Sequence, residues 1–149
     1  MSGQDIPTLT LLANAAATLF MVGLIWFVQI VHYPLMSRVG SELFPLYSEA
    51  HSRLTSLVVG PPMLIEATTS ALLLFLRPHP VPLWSVALGA GLLAAIWLST
   101  ALLQIPRHTA LGSGFDLREH RALVKSNWLR TAAWSARGVL VVWMLWLLA

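Results

Sequence analysis

Four apolar runs, each of about twenty residues, leave this chain few ways to fold, because a backbone placed in lipid must satisfy its hydrogen bonds within one helix or one closed barrel. The runs cover roughly residues 8–35, 54–76, 83–105 and 128–149 of the 149-residue chain. They predict an all-α, membrane-embedded four-helix bundle forming one domain. The six residues "RPHPVP" at 77–82 hold three prolines, which cannot continue a helix, so they read as a tight turn between spans two and three. With 57% hydrophobic and only 10% charged residues, the chain departs from an ordinary soluble domain in the direction of a membrane protein. There is no cysteine, which excludes disulfides, thiolate metal ligation and thiol catalysis. The N-terminal "MSGQDIPTLT" has no Lys or Arg ahead of the first run, so that run reads as a span rather than a cleaved signal.

The basic residues set an expected orientation. Arg38 and Arg53 follow span one; Arg107, Arg118, Arg121, Lys125 and Arg130 follow span three; only Arg77 lies at the other end. The positive-inside rule puts both longer loops in the cytoplasm and both termini outside. These cations are too dispersed for a nucleic-acid surface, so no nucleic-acid partner is expected. Each loop carries an amphipathic pattern: Leu43, Leu46, Tyr47, Ala50 and Leu54 in one, Phe115, Leu117, Leu123 and Val124 in the other. Two short amphipathic helices are expected there, resting at the headgroups or capping the bundle.

"QIVHYPLM…LFPLYSEAHSRL" and "QIPRHTAL…GFDLREHRAL" share an order of Gln-Ile, Pro, His, Phe and a second His, a weak signal of a parallel internal repeat. It aligns Gln29 with Gln104, His32 with His108, and His51 with His120. All four histidines fall at the expected cytoplasmic mouth, with His79 opposite. Neutral imidazole is the commonest metal ligand, so His32, His51, His108 and His120 are candidate ligands for a transition metal or haem. No pair has helix-borne zinc spacing, and histidines at headgroup depth also serve simply as interfacial hydrogen-bonding groups.

Glu66 lies twelve residues into span two, about 18 Å along a helix and near mid-membrane. A carboxylate there needs a partner, and Arg137 of span four lies at comparable depth. The pair reads either as a lock between two helices or as a proton relay or substrate anchor at a cavity floor. "GPPMLIE" just before the acid predicts a kink or restart at Pro61 that opens a pocket near Glu66. In span four, Asn127, Arg130, Trp134 and Arg137 recur at spacings of three, four and three, one inward-facing ridge. Ser126 or Asn127 is placed to cap that helix. Trp84, Trp143 and Trp146 suit the outer interface, and Trp128 suits the inner one.

"WFVQIVHYPLM", the Pro and His elements after span three, and "NWLRTAAWSARG" resemble the anthrone-oxygenase-like family of small four-helix membrane proteins, most of them bacterial. The resemblance implies a bacterial inner-membrane protein. In fungal members it implies oxidation of an anthrone to an anthraquinone by molecular oxygen without metal or flavin. It points to Asn127, Trp128, Arg130, Trp134 and His32 as site residues. The expected function is then an oxidoreductase acting on a hydrophobic aromatic or quinone-like molecule in a cytoplasmic-side cavity. Tyr33, Asn127, Trp128 and Trp134 would bind the substrate, and His32 or His108 would act as general base. Arg130 or Arg137 would stabilise the resulting anion. A haem- or metal-binding subunit, and a non-enzymatic accessory subunit of a larger membrane complex or homo-oligomer, are the alternatives.

Overall fold

The computed structural model describes residues 5–149 and is all-helical over that range. Helix α1 runs Asp5–Met36, α2 Phe44–Leu76, α3 Leu83–Gly112 and α4 Leu117–Trp146. Consecutive helices are joined by short connections, so they alternate in direction. α1 packs along α2 and α4, and α4 also packs along α3; the seam between α2 and α3 is the thinnest. The first connection turns on Gly40, at φ 84°, a left-handed conformation that only glycine takes without strain. The 77–82 turn is closed by the Val81 amide donating to the Pro78 carbonyl at 3.0 Å.

α1, α2 and α3 are each long and apolar enough to cross a membrane. α4 is 30 residues long but does not meet that measure. It carries Arg130 and Arg137, which lower its hydropathy, yet both arginines are turned into the bundle. The outer surface is apolar instead: Leu57, Leu102, Val139 and Phe75 all face outward, Phe75 with 83% of its surface exposed. That is the reverse of a soluble bundle, whose polar residues face out.

Three expectations are corrected here. The amphipathic loop stretches are not separate helices. Residues 44–54 are the leading turns of α2 and residues 117–127 those of α4, with no Gly or Pro to interrupt either junction. α4 is therefore capped at Asp116, whose Oδ1 accepts from the amides of Arg118 and Glu119 at 2.7 and 2.9 Å, and not at Ser126 or Asn127. Nor does α2 restart at Pro61: it passes through Pro61 and Pro62 as one helix.

The interruptions occur elsewhere. α1 widens into a π turn over Val28–His32, and α3 does so over Thr100–Gln104. Each π turn precedes a proline, Pro34 or Pro106. The Tyr33 amide bonds back to Val28, and the Ile105 amide to Thr100, five residues rather than four. A proline ring crowds the carbonyl four residues before it, and a wider turn relieves the crowding. Both halves of the suspected repeat carry this device next to their Gln-Ile pair. The core has three layers, around Leu11 and Leu73 at one end, Met21 and Trp134 in the middle, and Phe44 and Leu123 at the histidine end.

Candidate functional site

The π turns aim two glutamines at α4. Gln29 accepts from Asn127 Nδ2 at 2.8 Å and donates to the Val124 carbonyl at 3.3 Å. Gln104 accepts from Ser99 at 3.1 Å and donates to Ser126 at 3.3 Å. These bonds fix the upper halves of α1 and α3 on α4 and leave a gap between α1, α2 and α3. The gap is a cavity of about 710 Å³. Its lower wall is apolar, with Met21, Ile25, Val59 and Met63; its upper wall holds Tyr33, His51, Gln104, His108 and Arg130. Leu64, Trp97 and Ile105 line it while being exposed, so the cavity opens along the thin α2–α3 seam.

On the upper wall the Tyr33 hydroxyl and His108 Nε2 are 3.1 Å apart, a hydrogen bond between two groups that exchange protons. The Arg130 guanidinium lies beside the same hydroxyl and 5.1 Å over the Trp134 ring. The His51 ring is 5.4 Å from the His108 ring. Behind the wall, His32 Nε2 meets His51 Nδ1 at 3.0 Å, with Thr55 Oγ1 at 3.1 Å from that same Nδ1 and the Tyr47 hydroxyl 3.5 Å from His32 Nε2. His51 Nδ1 has one lone pair or one proton to share, so it exchanges a full hydrogen bond with only one of His32 Nε2 and Thr55 Oγ1 at a time, and which nitrogen of each ring carries the proton follows from that choice.

His32, His51 and His108 thus form one cluster, but His120 does not join it. His120 is buried, 2.7 Å from the Tyr33 carbonyl through Nε2, and packs on Phe115. Among the described residues no three His, Cys, Asp or Glu side chains are grouped closely enough to hold a metal ion. The lone pair that His51 would offer a metal is turned toward His32 and Thr55.

The ridge of α4 faces inward as its spacing predicts, but its members divide between two places. Glu66 and Arg137 are buried and paired, Arg137 Nε to Glu66 Oε1 at 3.3 Å. Glu66 also accepts from Thr18 at 2.8 Å and from Trp134 Nε1 at 3.0 Å. Arg137 further donates to the Gly89 carbonyl, to Thr18 and to Ser70. Asn14 completes the network at Thr69 and Ser70. All four helices contribute, every strong donor is used, and neither charge lies on the wall of the large cavity. This arrangement is a lock, and the cavity expected beside Glu66 lies instead one to two turns away, around Gly60 and Met63.

Asn127 is buried on Gln29 and does not reach the cavity. Trp134 is buried between the two arginines. Trp128 points outward, 46% exposed and edge-on to Trp26 at 5.7 Å, so it cannot line the pocket. Thr55 and Trp97 are wall residues that no motif signals, and Gln104 is signalled only by the repeat. Comparisons with models of known families, with curated proteins and with solved structures find no match. What the fold defines is therefore a class: a four-helix protein with three helices fit to cross a membrane and a half-apolar cavity at its histidine end.

Proposed function

We propose that this is an integral membrane oxidoreductase that takes a hydrophobic, aromatic or quinone-like molecule into the cavity and removes a proton from it at the Tyr33–His108 pair. One observation carries the reading: a hydrogen-bonded phenol and imidazole, 3.1 Å apart, stand at the polar end of an otherwise apolar cavity large enough for a fused-ring molecule. His108 is the base, oriented by Tyr33. Deprotonation raises the electron density of a phenol or benzylic carbon acid, and a hydroquinone so ionised gives two electrons to molecular oxygen, yielding quinone and hydrogen peroxide. The basic residues favour a histidine end facing the cytoplasm.

The test is oxygen uptake by the purified protein in mild detergent with an anthrone and a hydroquinone as substrates, the hydroquinone releasing peroxide and the anthrone water. The wild type is expected to consume oxygen faster than a heat-inactivated control, and His108→Ala is expected to lose about 10²-fold or more of that rate. Oxygen uptake equal in wild type and His108→Ala would sink the proposal and leave an accessory role for the bundle.

A further inference from the structure

We infer that the molecule held in this cavity carries one negative charge on a planar oxygen head, a carboxylate or an ionised phenol or enol, and that Arg130 binds it. The inference rests on the cavity reading above and adds the charge of the ligand. Arg130 is a permanent cation, since a guanidinium does not lose its proton in proteins. It is 7% exposed and lines the cavity. Among the described residues the ion pairs are Arg107–Glu119 and Arg137–Glu66, so no carboxylate answers Arg130. Its Nε is buried without a hydrogen-bond partner. The one carboxylate on the cavity wall, Glu49, is exposed and forms no ion pair with it.

Arg137 makes the contrast within the same helix. Seven residues away, it has a carboxylate, a carbonyl and two hydroxyls around it. The fold can therefore satisfy a buried guanidinium completely, and among the described residues it supplies Arg130 with the Trp134 ring and the Tyr33 hydroxyl alone. A buried charge left in that state calls for an anion, and the planar fork of a guanidinium matches both oxygens of a carboxylate or the single oxygen of a phenolate or enolate. His108 Nδ1, also buried without a partner, belongs to the same end of the cavity. The apolar wall below these groups gives the head a hydrophobic body, and the opening between α2 and α3 faces the apolar exterior from which an amphiphile would enter.

The experiment uses the full chain in detergent and energy transfer from tryptophan to 9-anthracenecarboxylate, with 9-anthracenecarboxamide as the neutral probe of the same shape. The carboxylate is expected to bind at least about tenfold more tightly than the amide, the scale of a charge-assisted bond in a dry site. Arg130→Gln is expected to abolish that preference and Arg130→Lys to keep part of it. Displacement of the probe by both laurate and 1-naphthoate would support a class defined by its head. Displacement by neither would overturn it. Gly60→Phe separates the two levels, because a side chain at Gly60 meets nothing within 4 Å and grows into the cavity. If that variant weakens both probes while the wild type binds them equally, the anion inference is wrong and the cavity reading stands. If neither probe responds to Gly60→Phe, the cavity reading fails and the inference falls with it.

Discussion

Glu66 and Arg137 show how one pair of side chains can hold four helices together. Both are almost wholly buried, and each hydrogen bond they make reaches a different segment: Thr18 on α1, Ser70 on α2, Gly89 on α3, Trp134 on α4. Removing one partner strands the other charge, which typically costs about 3–5 kcal/mol, whereas removing both costs much less. Glu66→Gln is thus expected to lower the unfolding midpoint clearly more than Glu66→Gln combined with Arg137→Met, measured by thermal unfolding in detergent. Equal midpoints would show that the pair does not carry the lock. Trp128→Ala, by contrast, should leave oxygen uptake and probe binding unchanged, because its ring faces outward against Trp26.

At the scale of elements, close approach matters more than hydrophobic area. A side chain at Gly138 on α4 would begin 3.0 Å from Val22 Cγ2 on α1, so this glycine sets how near the two helices lie. Gly138→Leu is expected to destabilise the protein by about 1–3 kcal/mol through overpacking, read as a lowered unfolding midpoint. The leading turns of α4 depend on a different kind of contact. Asp116 satisfies two amides at the helix start, and Asp116→Ala should cost about 1 kcal/mol and loosen the Arg107–Glu119 pair behind it. The continuity of α2 and α4 beyond the apolar runs was not readable from pattern alone. An amphipathic stretch next to an apolar one has the same periodicity whether the helix breaks between them or not. The two π turns were hidden for a similar reason: Pro34 and Pro106 announce a disturbance, but whether the helix ends, kinks or widens depends on what lies beside it.

Over the whole molecule the outward helix faces are largely apolar, while the charges of Glu66, Arg130 and Arg137 are turned inside. The protein is therefore expected to stay with the membrane fraction after alkaline carbonate washing and to leave it only with detergent. Release by carbonate alone would refute the reading of α1, α2 and α3 as spans. The inward ridge on α4 was legible because a spacing of three, four and three marks one helical face and charged residues on a lipid face are costly. The division of that ridge was not legible: Arg137 meets Glu66 while Arg130 meets a cavity, and spacing along one helix says nothing about which partner stands opposite each turn. His120 teaches the same lesson. Its position beside the other histidines in the sequence pattern is real, but packing turns it onto the Tyr33 carbonyl.

The amino-acid sequence by itself determined that this chain makes four helices, that a turn falls at 77–82, that Glu66 needs Arg137, and which face of the last helix looks inward. Those follow from local rules: the length of an apolar run, the missing amide of proline, the cost of a bare charge. Only the tertiary structure decided that three helices part to leave a cavity, that Tyr33, His108 and Arg130 meet at its polar end, and that Trp128 and His120 do not. A cavity is a property of the space between helices, fixed by how closely Gln29, Gln104 and Gly138 let them approach, and no single helix carries that distance in its own pattern.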